Sequence, residues 1–495
     1  MDLKKIYKGL SFLFINIAAA GWGGADLSAA DFIVGGIAYD ILDNSAGRVA
    51  VVRLPEGEYT GDINIPETVT YGGKQYIPSS ISEGAFQQCG SLKSVKVPRN
   101  ITEIASHAFS FSNNLETIKI EGAIKVVPPY MAYECAGLKS VSLPSSTAEI
   151  GERAFANCKS LSDFVCPLTL SVIGNSAFAF CSSLRHFSFN SNLREIADGA
   201  FSNCSGISDV DLSAFNGKLG ENVFSNCSGL FTLTLNKNME EMPPYSFYNC
   251  SSLGSVTFPD NLKTIGERAF SSCSSLDYLY FGDEVALIGV RAFSGCTAIK
   301  KVDFNKDNDV VIEEGAFENL TTLPWVYLKG ISEIGEGAFE GCISMEWVEI
   351  ESEIQTIASR AFSNCPKLMK VYAHSEWPAV ITINTFDTST ENTAQLLVLE
   401  GTKKRYALSA FWNRFIHIEE TNQFPLVVDG PLANIQNIEI VNGRLLIDAD
   451  NSEIKIYDIN GIQLEKRRVN GSTIINLPQG IYILQCGEES MKVAI

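Results

Sequence analysis

A phenylalanine preceded by a small residue punctuates the chain at Phe86, Phe109, Phe155, Phe178, Phe201, Phe224, Phe247, Phe270 and Phe293, in steps of 23 residues, with Ala132 holding the one vacant place. The series continues at Phe317, Phe339, Phe362 and Phe386 with one-residue slips that predict small loop insertions. A period in the twenties predicts a solenoid. Within one unit, LDYLYFGDEVALIGVRAFSGCTA, the apolar residues Leu276, Leu279 and Phe281 precede Ile288, Gly289, Ala292, Phe293 and Cys296. The LxxLxF part alternates with period two, which predicts a short strand with Leu279 and Phe281 facing inward and Tyr278 and Tyr280 facing outward. A unit of about seven inward positions cannot bury them alone, so stacking against its neighbours must make the core. The glycine that follows the isoleucine (Gly151, Gly174, Gly266, Gly289, Gly335) suits a tight bend or a close backbone approach.

The same phase identifies the outward strand positions. Early units carry a small polar set: Ser94, Lys96, Thr117, Lys119, Ser140, Ser142, Asp209, Asp211, Thr232 and Thr234. Later units carry Tyr278, Tyr280, Lys301, Asp303, Trp325, Tyr327, Trp347, Glu349, Lys370 and Tyr372, so aromatics gather at one end of the strand face. Exposed Trp and Tyr among charges dominate binding hot spots, and their rings stack on sugars, which makes Tyr278, Tyr280, Trp325, Tyr327, Trp347, Glu349, Lys370 and Tyr372 the candidate ligand-binding residues. Strand propensity alone also places aromatics on strands, where cross-strand pairs stabilise a sheet, and both readings stand at this point. Glu333, Glu336, Glu340, Glu346, Glu351 and Glu353 fall in the same units and point to a ligand with basic groups.

Eleven of the 13 cysteines fall three residues after the phenylalanine position, one per unit, from Cys89 to Cys365. Rungs ~4.8 Å apart would hold such cysteines side by side, with Cβ atoms slightly far for a disulfide, so buried free thiols are favoured over cross-links. Structural zinc needs converging Cys or His clusters, whereas this ladder offers one ligand per turn and His107, His186, His374 and His417 are scattered. Ser112 and Leu320 replace the cysteine and Ala132 the phenylalanine, so looser packing is expected there. Asp303, Asn305, Asp307, Asp309 and Glu314 match calcium-loop spacing, a weak candidate because Asn308 stands where glycine is wanted and the flanks read as strands. The run from Asp448 to Glu453 is weaker still and reads as a turn. The sequence holds no nucleophile elbow, HExxH, phosphate-binding glycine loop or Cys with a nearby His, and an open repetitive face lacks the concave pocket catalysis uses. No enzyme and no cofactor is expected.

Lys4, Lys5 and Lys8 precede the apolar run GLSFLFINIAAA, with Ala18 and Ala20 as a small-residue cleavage site. That is the pattern of a signal peptide, which predicts export, and about a dozen apolar residues are too few to span a bilayer. The expected organisation is a signal peptide over 1–25, an N-terminal cap with the first repeat over 26–84, the repeat solenoid with its C-terminal cap over 85–420, a linker over 421–434 and a C-terminal β-sandwich over 435–495. With 57 Asp+Glu against 38 Lys+Arg and a net charge of -19, the surface repels phosphates, so nucleic acid is not an expected partner.

These units resemble the BspA-like leucine-rich repeat family of bacterial surface proteins, whose repeats carry IGxxAFxxCxxLxxVxLP. The resemblance covers roughly residues 31 to 420, with an opening unit in GIAYDIL, YTGDINIPETV and GGKQY and a closing unit in LLVLEGTKKRYALSAFWNRFIHIEE, where Gly401, Tyr406, Trp412 and Phe415 hold the family's places. It implies a mainly β, right-handed leucine-rich repeat coil with a parallel sheet face. It also implies an adhesin-like protein, secreted or on the outer cell surface, that binds an extracellular protein or glycan, and it carries over no catalytic residue. The segments YDINGIQL and LPQGIYIL resemble the small β-sandwich of proteins sorted by type IX secretion. Two rival readings are a rigid display stalk that binds nothing and, more remotely, a polysaccharide-acting enzyme.

Overall fold

The computed structural model describes residues 30–304 and 309–421, and in the C-terminal segment residues 435–441, 444–458, 463–477, 481–486 and 489–494. The expected signal peptide over 1–25, the linker from residue 422 onward, and Asn305, Asp307 and Asn308 lie outside the described residues.

The chain is a mainly β solenoid whose turns stack through parallel sheets, as the 23-residue period predicts. It begins with antiparallel strands: Phe32–Val34 turns at Gly35 and Gly36 into Ile37–Asp43, which pairs with Arg48–Val52. Arg48–Val52 then pairs in parallel with Lys74–Ile81, which closes an antiparallel hairpin with Val69–Tyr71, and beyond it the ladders of the coil are parallel. Two parallel faces run along the coil. One, the long-strand face, is built from the LxxVxL segments and starts where Gly61–Asn64 pairs with Leu92–Val97, continuing through Thr117–Ile120, Ser140–Ser142 and Asp163–Phe164. The other, the short-strand face, is built from the two residues before the close-approach glycine or the small residue in its place, as in Glu149–Ile150, Val172–Ile173 and Glu195–Ile196. On the long-strand face the ladder is interrupted in mid-chain, then closes with the four-residue strands Trp325–Leu328, Trp347–Ile350, Lys370–Ala373, Gln395–Val398 and His417–Glu420 in continuous register.

Between the faces the backbone turns without strands, yet its polar groups are satisfied from coil to coil. The N–H of Phe155 donates to the carbonyl of Ala177 at 2.8 Å, and Phe178 repeats this with Ala200. Two residues after the phenylalanine the backbone is left-handed, and Asn holds that place at Asn157, Asn203, Asn226, Asn249, Asn319 and Asn364, since its short polar side chain tolerates the conformation. The conserved-phase glycines serve close approach. A Cβ on Gly151 would lie 2.9 Å from the carbonyl oxygen of Val127 and one on Gly289 2.8 Å from that of Ile265, and neither residue has a positive φ.

One continuous core runs from Phe32 to Phe415. Its axis is the phenylalanine column, with ring centroids 5.3 Å apart between Phe178 and Phe201 and 5.5 Å between Phe201 and Phe224, nearly coplanar in orientation. The column is broken at Ala132, which is itself fully buried. At its end, Phe386 packs edge-to-face on Phe415 and beside Trp412, whose indole N–H donates to the carbonyl of Ala379. The cysteine column lies alongside. All twelve described cysteines are free, and the eleven in the column are buried. From Cys135 onward the thiols donate to a carbonyl of an earlier turn, as Cys158 does to Ala132 and Cys227 to Phe201, both at 3.2 Å. Burial pushes the Cys135, Cys181, Cys227, Cys273 and Cys365 thiols up to about 12. The looser packing expected at Ser112 is corrected: its hydroxyl is fully buried, donates to the carbonyl of Phe86 at 2.6 Å and accepts from the Cys89 N–H at 3.1 Å. Leu320 is likewise fully buried, an apolar side chain filling an apolar place.

The C-terminal strands form a separate antiparallel sheet with its own core of Leu445, Ile447, Ala449, Ile454, Ile456, Val469, Ile475 and Leu484. Its spine, Arg444–Asp458, changes neighbours along its length: the first half lies between Ile435–Val441 and the end of Gln463–Ile475, the second between the start of Gln463–Ile475 and Ile481–Cys486. The stretch Asp448 to Glu453, expected as a turn, instead runs within this strand, where the register shifts between Ala449 and Ser452.

Candidate functional site

The aromatic end of the long-strand face is assembled by register. Trp325 pairs with Trp347 and Trp347 with Lys370, forming one outward column; Tyr327 pairs with Glu349 and Glu349 with Tyr372, forming the next. In the two strands before, Tyr278 pairs with Lys301 and Tyr280 with Asp303. These registers set aromatic rings beside carboxylates: Tyr280 beside Asp303, and Tyr327, Glu349 and Tyr372 in succession. Trp325 and Trp347 face outward and are half-buried, stacked with parallel planes and centroids 4.9 Å apart, and Trp347 meets Tyr372 edge-to-face at 6.0 Å. Lys370 is exposed, and Tyr278, Tyr280 and Tyr327 are half-buried.

Two candidates depart from the expected exposure. Glu349 and Tyr372 hold outward strand positions yet are 2% and 7% exposed. The reason is lateral: in a ladder ~4.8 Å apart, a carboxylate between two tyrosines is covered by its neighbours in the column. Glu349 Oε1 lies 2.6 Å from His374 Nε2, a residue that sequence spacing did not single out, and Tyr327 donates from its hydroxyl to Glu351 Oε1 at 2.5 Å. Burial holds the Glu349 carboxyl above the usual carboxylate range, against the lowering influence of His374. Asp303 is enclosed in the same way and accepts from Lys301 Nζ at 2.8 Å and from the Tyr278 hydroxyl at 3.1 Å. Burial and the Asp303 charge together push the Tyr278 phenol up.

The glutamates expected to act together are divided between faces. Glu346, Glu349, Glu351 and Glu353 belong to the long-strand turn at Trp347–Ile350, but Glu333 sits in the short-strand face opposite Val311 and Thr356. Glu336 and Glu340 are taken up by Arg360. The calcium-loop reading also separates. Asp303 ends in the long-strand face, whereas Glu314 follows the short strand Val310–Ile312 and pairs with Arg291 at 2.8 Å, so the first and last positions of the spacing serve different sheets. Asp309 is exposed, and Asn305 and Asp307 lie outside the described residues. Among the described residues no three His, Cys, Asp or Glu side chains are placed to hold a metal ion.

A family model described as BspA type leucine-rich repeat region (6 copies) matches residues 61–178, 148–277, 240–370 and 310–413. The chain belongs to the BspA-type leucine-rich repeat family. A solved leucine-rich repeat protein from Bacteroides ovatus is 25% identical with a TM-score of 0.62, the match covering 75% of this chain and all of that one, 100%. A leucine-rich cell surface protein from Faecalibacterium prausnitzii is 24% identical with a TM-score of 0.49, covering 69% of this chain and 94% of that one. The pneumococcal vaccine antigen PcpA is 17% identical with a TM-score of 0.47, covering 80% and 100%. No curated protein matches the chain. The BspA-type model describes a repeat region and brings no reaction with it. No helix among the described residues is long and apolar enough to cross a membrane.

Proposed function

We propose that this chain is an adhesin-like binding protein, secreted or held at the outer cell surface, that engages an extracellular protein or glycan through the aromatic end of its long-strand face. The observation that carries the reading is the pair Trp325 and Trp347, two large rings kept at outward strand positions where the earlier rungs carry small polar residues. Preorganised, half-exposed rings lose little conformational entropy on contact and offer large apolar area, which is why they anchor interfaces. The leader pattern over 1–25 supports export, and the likeness of YDINGIQL and LPQGIYIL to type IX sorting domains supports attachment through the C-terminal sheet. The test is an array of glycans and matrix proteins probed with the purified chain. The triple variant Trp325→Ala, Tyr327→Ala, Trp347→Ala is expected to lose the ligand while keeping its far-ultraviolet circular dichroism; undiminished binding rejects the site.

One observation favours a second reading, a display stalk with no ligand on this face. Trp325 and Trp347 cover each other, so the pair also serves the sheet. An empty array would support it. A polysaccharide-acting enzyme would instead release sugar fragments from a polysaccharide panel.

A further inference from the structure

Three buried side-chain polar atoms among the described residues have no hydrogen-bond partner: the Tyr39 hydroxyl, Asn100 Oδ1 and Glu349 Oε2. The first two are neutral groups near the N-terminal cap. The third belongs to a carboxylate at an outward position in the middle of the aromatic end, the only one of the three set among the residues proposed to bind. Leaving a buried carboxylate oxygen unpaired is costly, and a well-packed apolar side chain would avoid the cost. A carboxylate can only accept, so what it lacks is a donor.

The surroundings narrow the donor. Oε1 is already engaged by His374, which leaves a single oxygen. A guanidinium fork pairs best with both oxygens of a carboxylate, whereas an ammonium is a compact point charge that one oxygen can seat. Tyr327 and Tyr372 flank Glu349 in register, and Trp347 precedes it by two residues with its ring edge-to-face against Tyr372. Aromatic faces attract cations, most strongly where water is excluded. The long apolar stem of a lysine suits the Trp325–Trp347 surface that leads to this point. The nearby charges are also unlike a site for an anion: Glu346 and Glu351 lie on the same turn, against Lys370 in the neighbouring column and the His374 imidazole that Oε1 already engages.

We propose that Glu349 is the seat for a lysine ammonium of an extracellular protein ligand, with Tyr327, Trp347 and Tyr372 as its walls. This rests on the reading that the aromatic end is the binding face. Entry requires Tyr327 to swing from Glu351, a rotation about side-chain bonds at a half-buried position.

The test is calorimetric titration of the full chain with tetralysine, tetra-arginine and tetra-(Nε-acetyl)lysine peptides. Because a chain of net charge -19 attracts any cation, the control is Glu346→Gln, an exposed carboxylate on the same turn. Glu349→Gln is expected to weaken tetralysine binding at least about tenfold, as for a desolvated charge pair that loses one partner, against less than about twofold for Glu346→Gln. Glu349→Asp, which keeps the charge but withdraws it, is expected to fall between. A Glu349→Gln melting temperature at or above that of the native chain assigns the loss to recognition. Equal losses for the two Gln variants, equal or tighter binding of tetra-arginine, or no binding of tetralysine overturns the proposal. So does capture of a glucosamine tetramer through Glu349 without tetralysine, which would make the ligand an amino sugar. If the Glu349 variants are silent while the Trp325, Tyr327 and Trp347 variant loses its array ligand, the binding face stands and the ammonium seat falls; if both are silent, the face falls too.

Discussion

The rungs at Asp209–Asp211 and Thr232–Thr234 and those at Trp325–Leu328 and Trp347–Ile350 have the same interior and different exteriors. Inside, Phe201 stacks on Phe224 at 5.5 Å as Phe317 does on Phe339 at 5.1 Å. Outside, Asp209, Asp211, Thr232 and Thr234 are all exposed, while Trp325 and Trp347 cover one another and Glu349 disappears between tyrosines. The inward strand residues are buried under both exteriors: Val210 and Leu212 beneath the aspartates and Val326 and Val348 beneath the tryptophans. Stacking constrains what points inward at every rung, so the outward positions are the ones at liberty to differ.

The largest test of this contrast is Phe224→Ala against Thr232→Ala. Removing a fully buried ring from the column is expected to cost about 3–5 kcal/mol in urea unfolding, and the exposed threonine less than about 0.5 kcal/mol. Comparable losses would erase the distinction between inside and outside. Next in size, Ser112→Ala leaves the Phe86 carbonyl without a donor and the Cys89 N–H without an acceptor, an expected cost of about 1–3 kcal/mol, while Ser112→Cys restores the column and should lie within about 0.5 kcal/mol of the native chain. A double-mutant cycle on Trp325→Ala and Trp347→Ala is expected to give a coupling of about 1 kcal/mol, the worth of a stacked pair beyond its buried area. A coupling near zero would mean that the rings do not support each other.

The smallest effect carries a sign. Burial raises the Glu349 carboxyl above its unfolded value, so ionising it costs more in the fold than in the unfolded chain. Its stabilising contribution is full below the unfolded value and is lost as pH rises through the folded one. Calorimetric melting of Glu349→Gln is therefore expected above the native chain at pH 7, with the gap closing below about pH 4, where glutamates take up protons in both states. A gap independent of pH would remove burial as its cause.

The coil was legible because its signals are local and repeated: the step from Phe155 to Phe178 to Phe201 gives the period, and Leu279 against Tyr280 gives the strand phase. That phase placed Trp325 and Trp347 outward correctly. It misjudged exposure at Glu349 and Tyr372, because the cover over Glu349 comes from Tyr327 and Tyr372, more than twenty residues away on either side, and its hydrogen bond from His374, on the same turn as Tyr372. Nearness in sequence misled for Glu333 and Glu349, which lie in successive units but serve different faces. The Ser112 expectation failed for a different reason: the place requires a small donor aimed at a carbonyl, and oxygen meets that need as sulfur does.

The sulfur column has a consequence for how the molecule meets its surroundings. Thiols held at about 12 by burial are almost wholly without thiolate at neutral pH, and it is thiolate that exchanges, alkylates and oxidises. While the coil is closed, the column is thereby shielded from the oxidising or reducing poise of the medium. When a turn opens, its own cysteine becomes reactive first, so a pulse of alkylating reagent followed by mapping of the labelled position would read out, coil by coil, where the array begins to unwind.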